Sequence, residues 1–184
     1  MTARRLSLLC LPLPLVLAST FLLGRTTVLH GGERAPIVVH PDGRIGPFRI
    51  DVSTDAQIRA VAGRPARVER MLSELTSKPV GHRLVYRCGR DCLTEYSIRK
   101  ATGRLSDFST GSPRFRTERG SHPGMRAARA ARLERRKFGP GCGDGLYLHV
   151  RWDLHHAFVL TADRGRVDGI LYLGPHSVYY EGLC

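Results

Sequence analysis

The sequence predicts an α+β fold: two tandem repeats, each with one or more helices packed on one face of an antiparallel β-meander. Three observations point there. A capped helical run follows a short strand near residue 48. Runs of alternating apolar residues separated by turns come after it. A second segment of the same rhythm starts at Phe115. Without gaps, Phe48-Arg49-Ile50-Asp51 aligns with Phe115-Arg116-Thr117-Glu118 at an offset of 67, as does Ile58-Arg59-Ala60 with Met125-Arg126-Ala127. Further on the offset is 62: Tyr96 meets Phe158, Ile98 meets Leu160, and Gly103-Arg104-Leu105 meets Gly165-Arg166-Val167. Apolar positions stay in phase over whole strands, so residues 42–113 read as a first repeat and 114–184 as a second.

The elements follow in order. Ser53, Thr54 and Asp55 are N-cap residue types, and Gly63-Arg64-Pro65 stops the helix they would open. Strands are expected at 83–88, 93–100 and 104–110, and again at 146–152, 157–162 and 166–173. Tyr96 with Ile98, and Phe158 with Leu160, alternate as in strands buried on one face. Ala101-Thr102-Gly103 and Asp163-Arg164-Gly165 are turn sequences. In the second helical run, at 100° per residue, Ala127, Ala130, Ala131 and Phe138 fall on one side. Met125, Arg126, Arg129, Arg132 and Arg136 fall on the other, as a solvated face or an anion-binding one.

Ahead of these lies a different segment. Arg4 and Arg5 precede an apolar run from Leu6 to Gly24, the pattern of an export signal. Residues 1–24 are therefore expected as a signal peptide or an uncleaved N-terminal anchor, and 25–41 as a linker. Any membrane contact would run through residues 6–24. Export places the chain outside the cytoplasm, secreted or anchored, where disulfides form. Cys88 and Cys92 flank the turn-like Gly89-Arg90-Asp91, so they are expected to pair, leaving Cys142 for Cys184 and Cys10 unpaired. On the chain-entropy model the short loop contributes about 2 kcal/mol and the long one about 4 kcal/mol. C-x3-C without a second matched pair is a weak zinc pattern.

The formal charge is +13, with 29 Lys and Arg against 16 Asp and Glu. A basic exported protein is drawn to acidic polymers, anionic lipid surfaces or acidic proteins. No aromatic RNA-binding signature accompanies the charge, so specific nucleic-acid binding is not expected. No G-x-S-x-G, H-E-x-x-H, phosphate loop or dinucleotide fingerprint occurs. Of His149, His155 and His156, the last two belong to Trp152-Asp153-Leu154-His155-His156, which reads as an exposed turn rather than a metal site. No metal, cofactor or enzymatic activity is expected.

The stretch 51–69, with Ser53, Gln57, Ile58, Gly63 and Pro65, resembles the helix-turn signature that opens modules of the beta-lactamase inhibitor protein. The same signature opens the small outer-membrane lipoproteins of the barrel-assembly machinery. Val52 stands where that signature has a glycine, and in the second segment Gly120, Gly124 and Met125 are similar while the Gly-x-Pro exit is degraded. The resemblance implies tandem modules whose concave sheet face binds a protein, and carries over no contact residue. The expected function is thus an exported, non-enzymatic binding protein with another extracytoplasmic protein as partner. The expected surface is the sheet face away from the helices, with Trp152, Tyr147, Tyr179 and Tyr180 as the aromatics. The alternative is a basic envelope protein that binds an anionic polymer or lipid surface through Arg126, Arg129, Arg132 and Arg136.

Overall fold

The computed structural model describes residues 35–73, 75–141 and 145–177. Cys10, Cys142, Cys184, Tyr179 and Tyr180 lie outside the described residues, and with them the Cys142–Cys184 pairing and the N-terminal segment 1–24.

The chain is mostly β. It carries two short helices, α1 (Asp55–Ala62) and α2 (Ala127–Glu134), among twelve strands of the described residues. Eight strands form one continuous sheet: β4 (Arg67–Leu72), β5 (Pro79–Gly89), β6 (Cys92–Arg99), β7 (Leu105–Thr110), β12 (Arg166–Leu173), β11 (Ala157–Asp163), β10 (Leu146–Trp152) and β9 (Gly139–Pro140), in that spatial order. The smaller sheet is β3 (Phe48–Arg49), β2 (Arg44–Ile45), β1 (Ile37–Val39) and β8 (Phe115–Thr117).

This corrects the expected α+β fold of tandem helix-on-meander repeats. The two meanders are not separate modules. Their last strands, β7 and β12, pair antiparallel from Ile170 opposite Thr110 to Leu173 opposite Asp107. Two strands that would each end a module in an exposed edge instead satisfy each other's backbone groups. The helices are eight residues each, too short to cover a sheet of this width. The small sheet shares the covering: β1 lies inside the stretch expected as linker and pairs in parallel with β8, Ile37 opposite Phe115.

The core lies between the inner face of the large sheet and this cover. Leu84, Tyr96, Ile98, Phe108, Leu148, Phe158, Leu160, Ile170 and Tyr172 point inward from the sheet. They meet Val39, Ile45, Phe48 and Phe115 of the small sheet, Ile58 of α1, and Met125 and Ala130 from α2 and the turn before it. At about 25 cal/mol per Å² of apolar surface removed from water, this layer dominates the stability. Phe108 sits at its centre, with ring centroids 5.3 Å from Tyr96 and 5.1 Å from Phe115. Tyr172 donates its hydroxyl to the Pro41 carbonyl at 3.0 Å, and burial raises its pKa to about 12.

Local chemistry sets the helix ends. Thr54 Oγ1 accepts from the Gln57 N–H while the Gln57 side chain accepts from the Thr54 N–H, a capping box. Gly63 closes α1 at φ 83°, a conformation costly for any residue with a Cβ. The β11–β12 hairpin turns through Arg164 at φ 47° and Gly165 at φ 76°, the two positive values a tight two-residue turn needs. A disulfide joins Cys88 to Cys92 across the β5–β6 hairpin.

Candidate functional site

Residues 114–137 concentrate the charge. They hold nine basic side chains and two carboxylates, Glu118 and Glu134. Both carboxylates are occupied. Glu118 bonds His40 Nδ1 at 2.6 Å, and buried Glu134 accepts the Thr117 hydroxyl at 2.6 Å. Arg119 donates to the backbone carbonyls of Leu133 and Glu134. None of the basic residues of this stretch forms an ion pair among the described residues.

Helix α2 arranges part of that charge. Ala127 and Ala130 are buried against the core, and Ala131 and Phe138 are half-buried beside them. The helix therefore turns its small-residue side inward, as the spacing requires, and leaves Arg126, Arg129 and Arg132 in solvent. These three line one surface depression of about 460 Å³ together with His122, Met125 and Ala128. Met125, placed by its spacing on the arginine side, precedes the helix and is buried at 8% exposure. Arg136 does not join the three. Arg135 takes the left-handed conformation at φ 54° and ends the helix. The chain then leads Arg136 to a separate cavity of about 150 Å³ beside Glu134, Arg119 and Phe158.

The two described aromatic candidates, Tyr147 and Trp152, occupy the opposite face of the large sheet. Tyr147 and Trp152 sit on β10 opposite Thr161 and Ala157, on the outer side with Val159 and Leu173. Tyr147 packs half-buried against that small cluster, whereas Trp152 is 47% exposed. Trp152 meets the His149 ring edge-to-face at 4.7 Å. Burial, then the charge of Arg136, lowers the His149 pKa and favours its neutral ring. His155 and His156 fall in the turn after Trp152, where their N–H groups both donate to Asp153. Those bonds, His155 first, and the Arg151 guanidinium hold the Asp153 carboxyl well below the usual range. No group of three metal-ligating side chains occurs among the described residues.

A third cluster is one that sequence reasoning missed. Asp55, in the first turn of α1, accepts from Arg59 through both carboxylate oxygens and bonds His82 Nε2 at 2.6 Å. The Arg59 bond, first among the favourable interactions that outweigh burial, lowers its pKa. The Asp55–Arg59 spacing is legible as a helical i,i+4 pair. His82 is 27 residues away, and only strand register brings it there.

No family model matches the chain, and no curated protein matches it. Among solved structures it is similar to an extracellular protein containing a SCP domain from Bacillus anthracis str. Ames. The identity is 11% and the TM-score 0.41, over 66% of this chain and 43% of that one. The chain thus spans under half the length of that protein, and a likeness so slight carries no argument about function. It does not bear on the resemblance to the beta-lactamase inhibitor protein or the assembly lipoproteins.

Proposed function

We propose that this chain is a non-enzymatic, extracytoplasmic binding protein that docks an acidic polymer on the arginine face of α2. One observation carries the reading: Arg126, Arg129 and Arg132 line a single depression of about 460 Å³, and none has an ion-pair partner among the described residues. Three guanidinium groups at helical spacing along one helix match repeating anionic groups better than one compact anion. Export rests on Arg4, Arg5 and the apolar run to Gly24. The Cys88–Cys92 bridge suits the same compartment.

Titration with polyphosphate at several salt concentrations tests the reading. Each charge contact contributes about 0.7 to the slope of log affinity against log salt for a single-stranded polyanion. The triple variant R126Q/R129Q/R132Q is expected to lower that slope by about 2 and to weaken binding more than tenfold at low salt. Binding that ignores salt, or a slope unchanged in the variant, overturns it.

A second reading, docking of another protein on the outer sheet face, is favoured by Trp152. It is the only Trp of the chain and is half exposed against the His149 ring. Truncating a central aromatic costs about 2 kcal/mol in an interface of that kind. Loss of a protein partner in W152A, with polyphosphate binding intact, would select it.

A further inference from the structure

The inner face of the large sheet is not covered everywhere. At the β4 edge Val68 is 50% exposed and Arg70 points out beside it, with His82 opposite Arg70 on β5. Here lies a depression of about 550 Å³, lined by Val68 and Ile98 below and by Arg70, His82, Arg99 and Lys100 around them. No carboxylate lines it among the described residues. Strand alternation explains why: Glu69 and Glu95 sit on the other face, where Arg83 reaches both at 3.7 and 3.5 Å. Asp55, in the first turn of α1, is taken up by Arg59 and His82. Arg70, Arg99 and Lys100 form no ion pair among the described residues.

We infer that this depression is a second, independent anion site that takes a phosphate monoester bearing a small apolar group. Basic side chains of β4, β5, β6 and the turn after it line the depression together, so a ligand there meets donors from more than one element. A tetrahedral dianion meets such an arrangement better than a planar carboxylate does. Asp55 fixes the His82 ring, so part of the site is ordered before any ligand arrives. The apolar floor of Val68 and Ile98 has no polar group to solvate a second charge, and low-dielectric walls strengthen the field of the cations. The ester substituent belongs against that floor and the phosphoryl oxygens against Arg70 and Lys100.

Calorimetric titration of the folded chain with phenyl phosphate and with inorganic phosphate tests this. Saturable binding of both is expected, phenyl phosphate tighter by about tenfold through burial of its ring. R70A/K100A should weaken both by more than tenfold, and V68S should narrow only the difference between them. R126Q/R129Q/R132Q should leave both unchanged, which separates failure here from failure of the α2 reading. Chemical shifts of the Val68 and Ile98 methyls and the His82 ring on adding phenyl phosphate to the unaltered protein give a readout independent of variant folding. Absence of saturable binding, equal affinity for the two probes, binding unchanged in R70A/K100A, or loss in the α2 variant each overturns the inference.

Discussion

Helices α1 and α2 have the same length and both pack on the inner face of one sheet, yet they are stabilised by opposite means. α1 is locally consistent. It has a capping box, an acidic residue in its first turn, the Asp55–Arg59 pair one turn apart and a glycine at its end. It meets the core through one buried side chain, Ile58. α2 has none of these devices. Arg126 occupies its N-cap without a side-chain bond, its first turn has no acid, and Arg126, Arg129 and Arg132 repel one another at i,i+3. It is held instead by burial of Ala127 and Ala130, by the Thr117 hydroxyl bonded to Glu134, and by backbone pairing of Met125 with Val167 just before it. A sequence free to optimise α2 would place Ser or Asp at 126 and Glu at 129. Arginine at these positions gives up local stability.

The comparison breaks first at the seats of the two helices. Ile58 is fully buried, so I58A should cost about 4 kcal/mol, as cavity-forming substitutions do. Ala130 is equally buried and has no room to grow, so A130L should cost about 2 kcal/mol through overpacking. Urea unfolding of both variants checks the pair. An I58A cost under about 1 kcal/mol would mean that α1 does not depend on its one anchor.

Between those two in size is a pH dependence centred between the two halves, on β7. Asp107 is 3% exposed, and Ser106 donates to its Oδ2 at 2.8 Å. Burial raises its pKa to about 6, against the pull of the Ser177 and Ser106 hydroxyls. The folded state therefore binds a proton more tightly than the unfolded state. The contribution is fully present below the ordinary value of 3.8 and is lost as pH rises through about 6. Over that window stability should fall by about 3 kcal/mol from this group alone. D107N should flatten the profile between pH 4 and 6. A wild-type profile that rises with pH across the window, unchanged in D107N, would contradict it.

The sequence made strands legible where alternation was strong and local. The boundaries of β10 and β12 coincide with the expected 146–152 and 166–173. The cap at Thr54 and the turn at Gly165 were legible too, because a few adjacent residues decide them. β4 was not: Arg67–Leu72 has only Met71 fully buried, so its pattern resembles a loop. The fold class failed for a related reason. Pairing of β7 with β12, and of β1 with β8, joins residues far apart in the chain, and apolar phase within a strand does not say which strand lies beside it. The site divides the same way. Arg126, Arg129 and Arg132 were readable from helical spacing, whereas Arg136 was misplaced because a left-handed Arg135 ends the helix one residue earlier. The depression beside Val68 joins β4, β5, β6 and a turn, a convergence set by register alone.

The smallest effect sharpens the comparison most, because its two readouts should move in opposite directions. T54A removes the cap of α1 and should cost about 1 kcal/mol. R126D supplies a cap to α2. Arg126 already has the extended backbone of an N-cap residue, φ −61° and ψ 130°, so an aspartate there reaches the helix N–H groups without rearrangement. It also places a negative charge at the positive end of the helix and removes one repulsion with Arg129. The expected gain is about 1 kcal/mol, or about 3 °C in Tm for a domain of this size. Polyphosphate affinity should fall at the same time, with a shallower salt slope, because one guanidinium of the depression has become a carboxylate. If R126D neither stabilises nor weakens binding, α2 is not the compromised helix described here. If it stabilises and leaves polyphosphate binding unchanged, the missing cap is real but Arg126 lies outside the contact surface, and the docking face must be drawn around Arg129 and Arg132 instead.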